Sequence, residues 1–363
     1  VHAFAVDPRR GLFILLILVA LIGGALALYA WRAPRLKQGS LFAPVSREGA
    51  LVLNNVLLTV ACATVFVGTL YPMALESLTG AKISVGPPYF NATFGPLMVP
   101  LLLAVPLGPL MAWKRGDVLG VLQRLWAAGL AALLAVIACL ALVWRGPWLA
   151  PLGIALGVWV VAGAVTEWAQ RIKLLAIPVP ESLARAIGLP RAAYGTLLGH
   201  LGLGLAVIGI VATSAWRSEA VLALKPGESG EVAGYSFLFR GTTPQRGPNY
   251  AEQVGRLEVT RAGAPVTVLT PSKRIYDAPR QGTTEAGIHA SWRGDLYIVL
   301  GDELDGGAYV VRAYFNPLVR LIWIGAMVMA LGGVLSLLDR RLRIGAPARG
   351  RGRARVPVAA PAE

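Results

Sequence analysis

Residues 193–216 read AYGTLLGHLGLGLAVIGIVATSAW. The stretch holds no Asp, Glu, Lys or Arg, and its one side chain that can take a charge near neutral pH is His200. A helix of this length reaches about 36 Å at 1.5 Å per residue, enough to cross the roughly 30 Å hydrocarbon core of a bilayer. Immediately after Trp216 the character changes, and Arg217 opens a polar region.

Six further stretches share the pattern of about 20 mostly apolar residues, at 11–31, 51–71, 94–113, 121–143, 148–168 and 317–338. Trp31, Trp113, Trp144, Trp148, Trp168 and Trp216 lie near their ends, where interfacial aromatics gather. Pro100 and Pro106 predict a kink or a broken helix in the third stretch. Only 15% of residues are charged against 56% hydrophobic, with a mean hydropathy of +0.62. Soluble domains carry about 25% charge, so composition and pattern both place most of the chain in lipid. The fold class predicted is an α-helical polytopic membrane bundle of about seven spans with an inserted small all-β domain. Its parts are a six-span region at 1–216 with the N-terminus outward, a β domain at 217–315, a last transmembrane helix at 316–338 and a basic cytoplasmic tail at 339–363.

The net charge of +15 does not point to nucleic acid. Residues 217–314 carry eleven Lys and Arg against eleven Asp and Glu, so the polar region is neutral. The excess lies in short loops and the tail, where basic residues set membrane orientation. Arg32, Arg35, Lys37 and Arg47 occupy one loop, Lys114 and Arg115 another, and Arg171, Lys173, Arg185 and Arg191 a third. The tail adds seven arginines between 340 and 355. These loops alternate with poorly charged ones, which puts the polar domain outside and the tail in the cytoplasm; Arg9 and Arg10 dissent. Within the polar domain, residues 235–239, 266–269, 296–300 and 308–315 read as strands, the last two joined through Asp305-Gly306-Gly307 as a hairpin. Six to eight strands forming a sandwich or barrel are expected.

Residues fit for chemistry are few. Cys62 and Cys139 have no CxxC spacing and read as small buried hydrophobes. An ionisable residue at membrane depth is a functional candidate by default, which singles out His200. Gly195, Gly199 and Gly202 remove bulk around it, so either a flat macrocycle or a neighbouring backbone can approach. The other local reading is a neutral imidazole hydrogen-bonded to a facing helix. Asn54 and Asn55 enter the second span at a comparable depth and serve either a ligand or helix contact. Glu167 and Arg171 are spaced for an ion pair. His2 and His289 carry no local signal, and no nucleotide-binding loop, metal-ligand cluster or CxxCH motif is present.

More specific stretches occur in order along the chain: VHAFA at 1–5, GTLYP at 68–72, ISVGPPYFN at 83–91, GHLG at 199–202, KRIY at 273–276, GDLY at 294–297 and YFNPLVR at 314–320. Together they resemble the C-terminal part of the CcmF family, the haem lyases of bacterial cytochrome c maturation. The resemblance implies an inner-membrane protein that receives haem from the periplasmic haem chaperone holo-CcmE. It implies thioether attachment of that haem to the CxxCH motif of apocytochrome c, with CcmH and CcmI as thiol-handling partners. It further implies a resident b-type haem as reductant, with a quinol as one source of electrons. By the same resemblance His200 is an axial ligand of the resident haem b and His2 an axial ligand of the incoming haem. The family's tryptophan-rich periplasmic motif and the partners of both histidines are expected upstream of Val1, making the chain a fragment. The loop pattern sets His200, Asn54 and Asn55 nearer the cytoplasmic leaflet, with one asparagine facing the haem or its helix. Roughly ten residues of helix, on the order of 15 Å, are expected between that depth and the incoming haem at His2 outside. A dedicated lyase for one cytochrome, and a transporter lined by the third span and the two asparagines, are the alternatives.

Overall fold

The computed structural model describes residues 8–35, 41–143, 146–278 and 280–339. Nine α-helices and ten β-strands lie within them. The helices are α1 (Pro8–Arg32), α2 (Arg47–Thr79), α3 (Pro87–Ala104), α4 (Val118–Arg124), α5 (Trp126–Leu142), α6 (Ala150–Arg171), α7 (Val179–Gly188), α8 (Arg191–Trp216) and α9 (Arg320–Leu337). Six helical stretches are long and apolar enough to cross a membrane, and α4 with α5 makes a seventh bent by 64°. His2 and the tail from Arg340 lie outside the described residues.

The third stretch is broken as its prolines predict, and a sharper bend lies elsewhere. Pro96 and Pro100 both sit inside α3. The α-helix closes at Ala104, ahead of Pro106, and a single 3-10 turn at Gly108–Leu110 follows. The sharp bend occurs at Leu125, where there is neither Pro nor Gly. Gln170 of α6 explains how the break is tolerated. Its amide donates to the Arg124 carbonyl at 3.3 Å and accepts from the Arg124 Nε at 2.8 Å. A carbonyl freed by the bend is thereby satisfied from a neighbouring helix. Leu125 itself is buried against this seam.

α8 is the central post of the bundle, packed on α6 along one side and α9 along the other. Glycine makes both seams close. A Cβ at Gly195 would stand 2.7 Å from the Gly332 carbonyl, and one at Gly202 would strike the Gly325 carbonyl of α9. On the other side, a Cβ at Gly204 would stand 2.7 Å from the Gly157 carbonyl of α6. Backbones this near each other replace the hydrophobic drive that lipid cannot supply. Asp339, just past α9, closes the assembly by accepting the Ala192 amide of α8 at 3.0 Å.

The polar domain is a sandwich of two antiparallel sheets. One has the order β1 (Ser218–Leu224), β10 (Ala308–Pro317), β9 (Gly294–Leu304), β8 (Gly287–Ala290). The other runs β2 (Ser229–Val232), β3 (Tyr235–Arg246), β4 (Tyr250–Arg261), β6 (Ser272–Tyr276), β7 (Gly282–Glu285), with β5 (Ala264–Leu269) on β4. Alternation decides the core: Phe237, Phe239, Leu257 and Val259 of one sheet meet Leu296, Ile298, Leu300 and Val311 of the other. The β9–β10 hairpin turns through Gly306 and Gly307, both at positive φ as expected. Ten strands replace the six to eight expected. The extra ones include β4, whose outward positions carry Glu252, Arg256 and Glu258 and hide the alternation.

Sandwich and bundle meet at the ends of α8 and α9. Thr213 donates to the Pro317 carbonyl at 3.0 Å, and the Arg320 guanidinium lies 3.6 Å from Asp295 and 5.8 Å from the Trp292 ring.

Candidate functional site: a cavity at His200

α2 begins, α3 ends and α8 begins at the end of the bundle away from the sandwich. Between these three helices lies a cavity of about 300 Å³. Its polar groups come from His200, Asn54 and Arg47. Leu51, Leu57, Leu101 and Val105 supply an apolar wall, and Ala50, Ala104 and Gly108 leave room beside it.

His200 faces this space rather than the glycine seams. The glycines on either side of it serve helix contact, so that part of the local reading holds. Yet the imidazole makes no hydrogen bond among the described residues, unlike a histidine tied to a facing helix. The acid whose charge reaches it is Glu167 of α6. Glu167 is buried and paired with Arg171, the spacing read from sequence. A Cβ at Gly199 would meet nothing within 4 Å, so space remains next to the histidine.

The two asparagines separate. Asn54 lines the cavity, whereas Asn55 is exposed and accepts a hydrogen bond from the Asn54 amide at 3.3 Å. Helix geometry accounts for the split, since successive residues point about 100° apart. His200 stands nine residues from the start of α8 and sixteen from Trp216, about 24 Å short of the sandwich end.

Arg47 was read as a loop charge, and the structure adds it to the site. It is the first residue of α2, after Ser46, whose hydroxyl caps the helix by accepting the Gly49 amide at 3.0 Å. Arg47 and Asn54 are seven residues apart, and two helical turns put them on one face. That spacing was the available signal.

Other candidates stay structural. His289 of β8 packs edge-on against Tyr235 with ring centroids 6.3 Å apart. Cys62 and Cys139 are unbridged, and Cys62 is exposed rather than buried because its helix turns that face outward. No group of three or more His, Cys, Asp or Glu able to hold a metal ion occurs among the described residues. The cavity's single imidazole therefore suits a ligand that carries its own metal. Its apolar wall suits a flat hydrophobic body, and its amide and guanidinium suit polar substituents.

Residues 215–317 match the family described as the CcmF C-terminal beta-sandwich. The cytochrome c-type biogenesis protein CycK of Rhizobium meliloti is 54% identical over 97% of this chain and 52% of its own length. CcmF of Pseudomonas aeruginosa, also a cytochrome c-type biogenesis protein, is 42% identical over 95% of this chain and 52% of its own. A solved cytochrome c haem lyase CcmF superposes with a TM-score of 0.63 at 25% identity, covering 82% of this chain and 46% of the other. The chain thus spans about half the length of the curated relatives it matches.

Proposed function

This chain belongs to the CcmF family of cytochrome c-type biogenesis proteins, and from that premise we propose that it contributes half of a haem site at His200 to a membrane haem lyase. The observation that carries the reading is the cavity itself: one unbonded imidazole in an otherwise apolar wall, with polar groups at its margin.

When bound there, a b-type haem supplies one-electron chemistry, the reductant role implied by the family. The residues of this chain do the rest. His200 would hold the haem iron through an imidazole nitrogen. Leu51, Leu57, Leu101 and Val105 exclude water from the site. Asn54 holds a polar substituent or orients the imidazole's neighbour helix. Gly195 and Gly202 lock α8 against α9, so His200 is presented from a fixed helix.

The lyase reaction itself belongs to the outer face. In this reading the sandwich stands in the periplasm and the chain's end in the cytoplasm, as the basic loops indicate. Holo-CcmE delivers haem, CcmH and CcmI prepare the thiols of apocytochrome c, and His2 ligates the incoming haem iron. A quinol is the electron source that suits a site at this membrane depth. The transporter alternative gains nothing, because Asn54 turns toward a cavity beside a histidine and Asn55 away from it.

The test uses the protein expressed with the upstream half that its relatives carry. A reduced pyridine haemochrome spectrum of the purified protein is expected to report b-type haem. His200→Ala is expected to remove that signal while the protein still inserts. An unchanged signal in His200→Ala sinks the ligand assignment.

A further inference from the structure

Arg47 lines the same cavity as His200 and carries a charge that nothing described balances. No carboxylate pairs with its guanidinium among the described residues. The nearest acid in sequence, Glu48, is committed elsewhere, its Oε2 accepting the Lys114 amide at 2.7 Å. The one partner recorded for the guanidinium is the Trp113 ring, 4.8 Å from its carbon, which steadies one face and leaves the forked donors free.

Its position adds a second reason. Arg47 is the first residue of a 33-residue helix, where the macrodipole disfavours a cation and favours an anion. Ser46 already satisfies the cap through Gly49, so the arginine is not there to finish the helix. An unpaired, half-buried cation at the wrong helix end, opening on a cavity with an imidazole, calls for an anion as its partner. Arg47 and Asn54 are about 10 Å apart along α2. A ligand touching both ends of this cavity therefore has a ligand-accepting centre on a flat body and an anionic margin.

We propose that Arg47 is the anion-binding residue of the His200 cavity, taking a carboxylate of the tetrapyrrole seated there. The proposal rests on the haem reading given above and deepens it by assigning the end that faces α2's first turn. A guanidinium holds a carboxylate through two parallel charge-assisted hydrogen bonds, which fixes the rotation of the ring as well as its affinity. The bland alternative is a topogenic arginine that reaches lipid headgroups.

The experiment uses the full-length protein purified from haem-limited cells in nanodiscs. It is titrated with iron protoporphyrin IX and, in parallel, with the dimethyl ester, which has the same ring and metal and no free carboxylate. The wild type is expected to bind the free acid about tenfold or more tightly than the ester, the size of one charge-assisted hydrogen-bonded pair. Arg47→Ala is expected to lose that preference while keeping the low-spin spectrum that depends on His200. Arg47→Lys, which keeps the charge and the topology signal, is expected to retain part of it. Equal affinities of the wild type for acid and ester overturn the proposal without any variant. So does an Arg47→Ala protein that keeps the preference, or one that changes only its dependence on anionic phospholipid in the disc. The haem reading fails separately, if His200→Ala binds both compounds as the wild type does.

Discussion

A Cβ added at Gly202 would enter the space of the Gly325 carbonyl and lie 2.7 Å from Met329, whereas one added at Gly199 meets no atom within 4 Å. The two glycines are three residues apart on one helix and in sequence look equivalent. Gly202→Ala is expected to destabilise the α8–α9 pair by about 1–3 kcal/mol, the usual cost of overpacking. Gly199→Ala is expected to be neutral or slightly stabilising, since alanine is the better helix former. Thermal unfolding of the two variants in the same detergent separates them; equal losses would mean that the seam is not set by Gly202. At this scale the sequence disclosed which residues were special without saying for what. His200 was legible because a lone imidazole in 24 apolar residues is conspicuous. Arg47 was not, because arginine at a helix end is the ordinary signature of membrane sidedness. Only the meeting of α2 with α8 shows what it faces.

Elements differ in how openly they declare themselves. The long apolar helices were readable because lipid demands the same composition over some 20 residues. The bend at Leu125 was hidden, since the amide that satisfies the freed Arg124 carbonyl lies on α6, forty-six positions beyond Arg124. In the sandwich, β9 showed its alternation through Leu296, Ile298 and Leu300, while β4 buried its pattern under charge. That charge makes a testable cluster between β4, β6 and β7. Arg274 donates to Glu252 at 2.7 Å, Ser272 donates to the same oxygen at 2.7 Å, and Glu285 lies 3.4 Å from the guanidinium. The hydrogen bond from Arg274 is the main reason the Glu252 carboxyl sits below the usual carboxylate range, and Ser272 adds to it. A carboxyl depressed on folding contributes stability above its unfolded value, near 4.3, and loses it as pH falls through the lower folded value. Amide protection factors in β4 and β6, with the intrinsic pH dependence of exchange divided out, are therefore expected to be steady from about pH 7 to pH 5 and to fall below about pH 4. Glu252→Gln is expected to flatten that acid response. An acid response of the same size in the variant would assign it to other carboxylates.

The whole molecule is organised by one helix. α8 runs from the end of α7 to the first strand of the sandwich without interruption, twenty-six residues in all. A single crossing places whatever precedes it and whatever follows it on opposite faces, so α7 and the sandwich must be separated by the membrane. α7 is built for an interface: Val179, Leu183 and Ile187 recur every four residues as an exposed apolar stripe, and Lys173, Arg185 and Arg191 flank them. In the proposed orientation α7 and the His200 cavity lie toward the cytoplasm, with the sandwich outside, as those basic residues favour. Single cysteines test both statements once Cys62→Ser and Cys139→Ser have removed the native thiols. Asp305→Cys, at the exposed β9–β10 turn, is expected to react with a membrane-impermeant maleimide once the outer membrane alone is permeabilised. Ala184→Cys, exposed on α7, is expected to react only after the inner membrane is opened. Labelling of both from one side would contradict α8 as a span. Labelling in the reverse order would keep the span and invert the molecule, moving the cavity to the outer side, where the proposed function places haem delivery. Orientation therefore decides whether the His200 cavity lies across the membrane from the proposed site of haem attachment; about 24 Å of α8 separates His200 from the sandwich end.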